Sequence, residues 1–318
     1  MNKIIQFLIR NKIDFKENIN LSKYTWIKTG GTVNLWIEPN STDELLGLLD
    51  LFHLYSVDYD IVGHTSNIFY LDTSIKNIIV STKRLKNYIK SDNEVVCDCG
   101  APIASLSKSL VDKGYLGFYG FVNLPGTIGA AAVNNSGCFG CTISDLVISL
   151  IIYNKKTGKL EEISNEKLKY SHRSSVIKRK ELDAVIIKVT LRLVKGSIKE
   201  EQQKALDATA ERKRTQEPPA FTLGSVYANL QERKTIGFRL FCKLYILLAK
   251  THLVKFPTKT HLLLTYYNYR DIEPYVSQKN VNTFIWYPNI VDKQSTFRRY
   301  CDFMEKAFFN PTLEIEIR

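Results

Sequence analysis

The chain has 318 residues, of which 44% are hydrophobic and 24% charged, with a formal net charge of +12. That composition excludes a disordered or low-complexity protein and supplies enough apolar material for two or three packed lobes. Six cysteines in a chain this long are no disulfide framework, and one isolated C-x-x-C (Cys138, Cys141) with five scattered histidines does not make a zinc site, so no metal is expected.

Residues 1–14 read as a short amphipathic helix followed by no small-residue cleavage site. A strand at 33–38 leads to Ser41-Thr42-Asp43-Glu44, a capping box, and a helix carrying Leu45, Leu46, Leu48, Leu49 and Phe52. Strands at 59–62 and 78–81 flank the loop from Gly63 and complete an α/β lobe. A second lobe begins with a strand at 95–99, broken by Gly100, and a helix at 102–113. A stretch rich in small residues covers 124–140. A hairpin turning at 154–158 follows, then a short helix capped by Ser164, and a strand at 184–193 with apolar residues at period two.

The last third opens with a charged helix at 199–214. The apolar stretch 240–254 is interrupted by Lys243 and Lys250, so it cannot span a bilayer. Between 233 and 270 stand eight basic residues and no acidic one. Such a zone fits a diphosphate-bearing substrate or a solvated surface, and net charge alone is a weak reason to expect nucleic acid. Near the end, Phe297, Tyr300, Cys301, Met304 and Phe308 recur at helical spacing until Asn310-Pro311, and a terminal strand covers 313–318. The reading is of a cytoplasmic protein with no membrane partner and an oligomeric state the sequence leaves open.

Small residues at Gly63 and along 125–140 let main chain approach a large anionic ligand, whose phosphates backbone N–H groups can cradle. Neither loop matches G-x-G-x-x-G or the Walker pattern, which excludes those nucleotide folds. More specific are several ordered segments. They run from Tyr24 through Gly31, through Glu38-Pro39, and from Gly63 to Ile68. Further along come Leu124-Pro125-Gly126-Thr127-Ile128-Gly129, then 135–140 with Ile143-Ser144-Asp145, then 172–178. The last are Gln216 with Gly224-Ser225-Val226-Tyr227 and Asn229, and the terminal 313–318. In order and spacing these resemble the UDP-N-acetylenolpyruvoylglucosamine reductase family over about 20–230 and again at the C-terminus.

The resemblance implies an α+β fold, a two-lobe FAD-binding module of the vanillyl-alcohol oxidase type followed by an α/β substrate-binding domain. The expected divisions are 1–85, 86–197 and 198–318. It implies non-covalent FAD, NADPH as hydride donor and a UDP-sugar substrate, whose enolpyruvyl group is reduced to give UDP-N-acetylmuramate for peptidoglycan synthesis. By the family's motifs, Arg173 polarises the substrate carboxylate, Ser225 gives a proton to the carbanionic carbon and Glu316 assists at the carboxylate. Period two puts Glu314 and Glu316 on one strand face, and only the motif selects Glu316. FAD contacts fall on Gly63, His64, Thr65, Ser66, Asn67 and Ile68, on Pro125, Gly126, Thr127, Gly129 and Ala130, and on Asn135 and Gly137. Substrate contacts fall on Tyr170, Gln216, Gly224, Asn229 and Lys279.

Departures from the family pattern accompany this. His64-Thr65 stand where a small residue is usual, Asn123 replaces a glycine, His172 a tyrosine and Ala228 a lysine. Asn280 replaces a histidine, Thr283 is an insertion, and 231–275 is the most altered region. Two alternatives follow: an FAD enzyme for another nucleotide sugar or hydroxy acid, or a flavin-binding partner protein of low turnover.

Overall fold

The computed structural model describes residues 1–71 and 77–318. In chain order its elements are α1 (Asn2–Arg10), β1 (Asp14–Asn20), β2 (Thr32–Glu38), α2 (Thr42–Leu54), β3 (Asp60–Val62), β4 (Ile68–Phe69), β5 (Ile78–Ser81), β6 (Tyr88–Lys90), β7 (Glu94–Asp98), α3 (Ile103–Val111), α4 (Ile128–Asn134), β8 (Gly137–Cys138), β9 (Cys141–Thr142), β10 (Val147–Asn154), β11 (Lys159–Ser164) and β12 (Ala184–Arg192). The remainder are α5 (Ile198–Thr215), β13 (Tyr227–Ala228), β14 (Gln231–Glu232), α6 (Ile236–Lys250), α7 (Lys259–Tyr266), α8 (Lys293–Ala307), β15 (Phe308–Phe309), β16 (Thr312–Leu313) and β17 (Glu316–Ile317).

Two compact units result. The first comprises Met1–Thr25, Gly30–Ser66 and Asp72–Ala210, the second Trp26–Thr29, Asn67–Leu71 and Glu211–Arg318. In the first unit one sheet has the order β1-β2-β5-β3, with β5 parallel to both β2 and β3. The other is antiparallel, β11-β10-β12-β7-β6. One apolar core joins them, from Leu35, Ile37 and Leu48 to Leu150, Ile152 and Val189. In the second unit the sheet content is three two-stranded pairings, and an aromatic cluster of Phe69, Phe284, Trp286, Phe297, Tyr300 and Phe303 forms the core. Phe284 lies 4.6 Å from Trp286 and 5.4 Å from Phe297, edge-on in both cases, as ring quadrupoles favour.

Sequence signals hold where local chemistry decides. Ser41 Oγ accepts the Glu44 amide at 3.1 Å, as a helix cap does, while the Glu44 carboxylate accepts from Asn40 N rather than from Ser41. Three expectations need correction and one strand is new. Ser164 does not cap its short helix, and its hydroxyl points to Glu166 at 3.5 Å. Strand β1 is an addition, since its polar sequence has no apolar alternation and it forms by pairing with β2. The helix through Phe297 stops at Ala307, because Phe308 and Phe309 pair with Glu232 and Gln231. The terminal strand is two pieces, β16 on β13 and β17 on β4, with the Glu314 amide turned to Val226 O between them. Glu314 and Glu316 therefore do not share one continuous strand face.

At the end of β2, the buried Glu38 carboxylate accepts Trp36 Nε1 at 2.7 Å and pairs with Lys83 at 2.5 Å and Arg84 at 3.0 Å. Burial alone would raise its pKa. The hydrogen bonds from Lys83 and Trp36 and the charges of Lys83 and Arg84 outweigh it, so the pKa falls below its ordinary 4.5. A depressed folded pKa contributes stability that is present above the unfolded value and is lost as pH falls through the folded one. Glu38→Gln should therefore cost about 1–3 kcal/mol at pH 7, read by urea unfolding, with the difference from wild type shrinking below pH 4.5. A difference that persists unchanged in acid would contradict the charge assignment.

Candidate active site

In the first unit, the turn after β3 and the turn before α4 pack together. Gly63 lies so close to Thr127 that an added Cβ would meet Thr127 Oγ1 at 2.5 Å and Cγ2 at 2.9 Å. Ser66 Oγ donates to Pro125 O at 3.1 Å, and Thr127 Oγ1 caps α4 by accepting the Ala130 amide at 3.3 Å. Gly126 holds φ at +130°, open to glycine and strained for other residues. Gly63, Ser66, Pro125, Gly126 and Thr127 are thus brought to one place.

Gly129 and Ala130 have a different local task. The Gly129 amide donates to Cys99 O at 2.8 Å, and a Cβ on Gly129 would come within 2.9 Å of Cys99. The Ile128 amide likewise goes to Ala101 O at 2.9 Å. These small residues seat α4 on the end of β7. Burial pushes the Cys97 and Cys99 thiols up to about 12, with the Asp98 charge adding to it, so both are inert packing groups.

His64 is half-buried, and burial followed by the Lys83 charge lowers its pKa, which keeps the imidazole neutral at pH 7. Thr65 is buried with φ +56°, its hydroxyl donating to His64 O at 2.7 Å. Asn123 Nδ2 donates to Thr209 Oγ1 on α5 at 2.7 Å, tying down the loop where a glycine would leave it free to bend.

Arg173 sits in a two-residue turn closed by reciprocal Ser171 and Ser174 backbone hydrogen bonds, both 3.1 Å. Its φ is +54°, an αL geometry that the turn enforces. Asn135 Nδ2 donates to Ser171 O at 2.8 Å and its Oδ1 accepts the Ser144 amide at 3.2 Å. A Cβ on Gly137 would stand 3.2 Å from Arg173 Nη1. Asn135, Gly137 and Arg173 therefore form one neighbourhood, with Tyr170 just before the turn and its phenol kept protonated by burial.

In the second unit, β4 and β17 run parallel with Glu316 opposite Ile68. The Glu316 amide donates to Asn67 O at 2.9 Å, and Asn67 Nδ2 reaches Glu314 O at 3.3 Å. The half-buried Glu316 carboxylate accepts from Arg318 Nη2 at 2.6 Å. Ser225 is half-buried beside this strand end, because Val226 O accepts from the Glu314 amide at 2.8 Å. Asn282 clamps the next residue, accepting Tyr227 N at 2.9 Å and donating to Tyr227 O at 2.7 Å. Asn67, Ile68, Ser225 and Glu316 are thus close along the chain's hydrogen-bonded framework.

The expected substrate residues are more dispersed. Gly224 and Asn229 are exposed at positive φ, +79° and +54°. Gln216 Oε1 accepts from Arg212 at 2.7 Å. Lys279 Nζ donates to the carbonyls of Lys213 and Gln216, both at 3.1 Å, as a cation closing the C-terminal end of α5. Asn280 Oδ1 accepts the Asn282 amide at 3.0 Å within its own turn, Thr283 is buried there, and Ala228 is buried in β13. Sequence reasoning gave no role to Ser277, which donates to Glu217 at 2.6 Å and accepts the Lys279 and Asn280 amides. It also missed an open cavity of about 520 Å³ lined by Glu217, Arg270, Glu273, Gln278 and Tyr287. No spacing rule links those residues in advance. Among the described residues no His, Cys, Asp or Glu group is placed to hold a metal ion, and no helix is long and apolar enough to cross a membrane.

Comparison with known proteins first defines the class. Residues 33–164 match the family described as FAD binding domain. A solved UDP-N-acetylenolpyruvylglucosamine reductase from Thermus caldophilus superposes with a TM-score of 0.68 at 16% identity, covering 96% of this chain and 98% of that one. The fold is thus an α+β FAD-binding fold. In sequence, the chain is 30% identical over 223 residues to the UDP-N-acetylenolpyruvoylglucosamine reductase of Prochlorococcus marinus, covering 68% of this chain and 74% of the relative. It is 30% identical over 190 residues to that of Lactobacillus acidophilus, 60% of this chain, and 26% identical over 196 residues to that of Clostridium novyi, 62% of this chain. These last two matches span 63% and 62% of the relatives' length, just under two thirds. The chain belongs to the UDP-N-acetylenolpyruvoylglucosamine reductase family.

Gly63→Ala forces Thr127 off its cap, so the purified variant should lose about 1 kcal/mol of stability and most of the flavin absorbance carried by wild type. Flavin content and thermal unfolding check both. Full flavin retention would separate this contact from cofactor binding.

Proposed function

We propose that the chain is an NADPH-dependent FAD reductase of UDP-N-acetylglucosamine enolpyruvate, forming UDP-N-acetylmuramate for peptidoglycan synthesis. The observation that carries the reading is the close approach of Gly63 and Ser66 to Pro125 and Thr127, inside the stretch that matches the FAD family. Not even a Cβ fits between Gly63 and Thr127, so main chain rather than side chain is presented to a diphosphate there. We assign the flavin lobes to 1–85 and 86–197, and the substrate domain to 198–318.

When bound, FAD supplies the hydride relay between NADPH and the enolpyruvyl double bond. It would be held by residues 63–68, by Pro125, Gly126, Thr127, Gly129 and Ala130, and by Asn135 and Gly137. Negative charge that builds beside the substrate carboxylate needs a cation, and Arg173, fixed in its turn, is the residue proposed to supply it. Ser225 is the proposed donor to the carbon next to that carboxylate, held in place by the Val226 and Tyr227 backbone hydrogen bonds on either side of the strand end. Glu316 is proposed to act at the carboxylate, with Arg318 balancing its charge. Tyr170, Gln216, Gly224, Asn229 and Lys279 are the proposed substrate contacts, in a protein that works in the cytoplasm.

A second reading, another nucleotide sugar or a hydroxy acid as substrate, is favoured by the Lys279 ammonium, which faces two carbonyls, and by the burial of Ala228, an alanine where the family motif has a lysine. Anaerobic half-reactions distinguish the two. The purified protein should be yellow, bleach with NADPH and regain its band with the enolpyruvyl substrate. Bleaching with no substrate-driven recovery would favour the second reading, and a protein that takes up no FAD would contradict both. Ser225→Ala should leave the NADPH half intact and slow the substrate half by about 10²–10⁴-fold. Equal loss in both halves would remove the proton-donor role.

A further inference from the structure

Helix α6 has two unlike faces. Inward, Phe238 and Ala249 are buried, the Phe238 and Phe241 rings lie 5.2 and 5.5 Å from that of Tyr266, and Tyr245 Oη is 2.8 Å from His261 Nε2. His261 in turn meets Glu273 at 2.6 Å, so this side of the helix is pinned to α7 and the turn beyond it. Outward, Ile236, Leu240, Leu244 and Leu247 recur at i, i+4, i+8 and i+11, a single stripe on a 3.6-residue helix. They are 77%, 62%, 58% and 58% exposed. The segment after the helix adds Leu253 and Phe256, also exposed.

Arg239, Lys243 and Lys250 run alongside that stripe, with Lys234 before it and Lys255 after it. Among the described residues none of the five has an ion pair. Lys259 and Arg270 of the same stretch are balanced by Glu232 at 2.5 Å and Glu273 at 3.6 Å. The result is an apolar stripe edged by uncompensated positive charge.

We infer that this face docks on the surface of a bilayer containing anionic lipid, with α6 lying in the plane of the interface. The pattern is that of an interfacial helix: apolar side chains enter the headgroup boundary while lysine and arginine stems reach back to the phosphates. Fifteen residues are too few to cross the hydrocarbon core, so the helix lies on the membrane and does not span it. Charge complementarity selects this occupant over a second copy, since two copies meeting on this face would bring like-charged rows together. The docking is independent of the reductase reading and is measured without turnover.

The test is flotation of the full chain with vesicles of phosphatidylcholine alone or with roughly one third phosphatidylglycerol. The chain should float with the anionic vesicles, stay behind with the neutral ones, and be released by salt. Lys243→Ala with Lys250→Ala should weaken partition roughly 30-fold, about fivefold per charge. Leu240→Ser with Leu244→Ser and Leu247→Ser should abolish it. All five side chains are exposed, so unchanged circular dichroism and Tm separate lost docking from lost folding. The inference is overturned if neither vesicle binds, or if binding survives the three serine substitutions. Self-association or capture of an acidic protein through this face without lipid binding overturns it as well.

Discussion

The first unit depends on positions where a side chain has no room. At Gly100 a Cβ would lie 1.8 Å from Thr82 O, at Gly129 within 2.9 Å of Cys99, and at Gly63 2.5 Å from Thr127 Oγ1. Together these close approaches pass β7 beneath the segment after β5, seat α4 on the end of β7, and bring the turn after β3 against the cap of α4. Dense packing of this kind leaves no slack for added volume, so the loops around Gly63 and Thr127 are held by backbone contact rather than by long side chains. A ligand that needs close main-chain approach finds that surface already organised.

Much of this was legible beforehand because local chemistry carries it. The Ser41 cap, the period-two strand β12 and the turn at 154–158 each rest on residues within a few positions of one another. Features that depend on distant partners were not legible. Strand β1 takes its conformation from β2, the break at Glu314 from Val226, and the Lys279 ammonium finds carbonyls over sixty residues away. The same limit applied to the candidate site. Motif order named Arg173, Ser225 and Glu316, but not the Ser171–Ser174 turn that sets Arg173 at φ +54°, nor the Arg318 partner of Glu316.

The second unit is built on an aromatic core and short paired strand ends, and the departures from the family motifs lie between them. Ala228, Asn280 and Thr283 are absorbed into local packing and turn hydrogen bonds, so these departures from the family pattern are structurally settled. The stretch from 233 to 270 departs differently. Its inner face packs well, whereas its outer face carries Leu240, Leu244 and Leu247 beside lysines that have no ion pair among the described residues, an arrangement with no role in holding the unit together. Lys243 and Lys250 stop α6 from reading as a membrane span in sequence, and the same two residues border the stripe in three dimensions.

The central claim is that the Gly63 and Pro125–Thr127 turns accept a dinucleotide flavin through its diphosphate. Titration of flavin-free protein with FAD and with FMN, followed by flavin fluorescence, tests it directly, because FMN has a single phosphate and no adenylate. The account predicts one FAD per chain and binding of FMN weaker by a hundredfold or more, about 2.7 kcal/mol. Equal affinity for the two flavins, or no uptake of either, would contradict it.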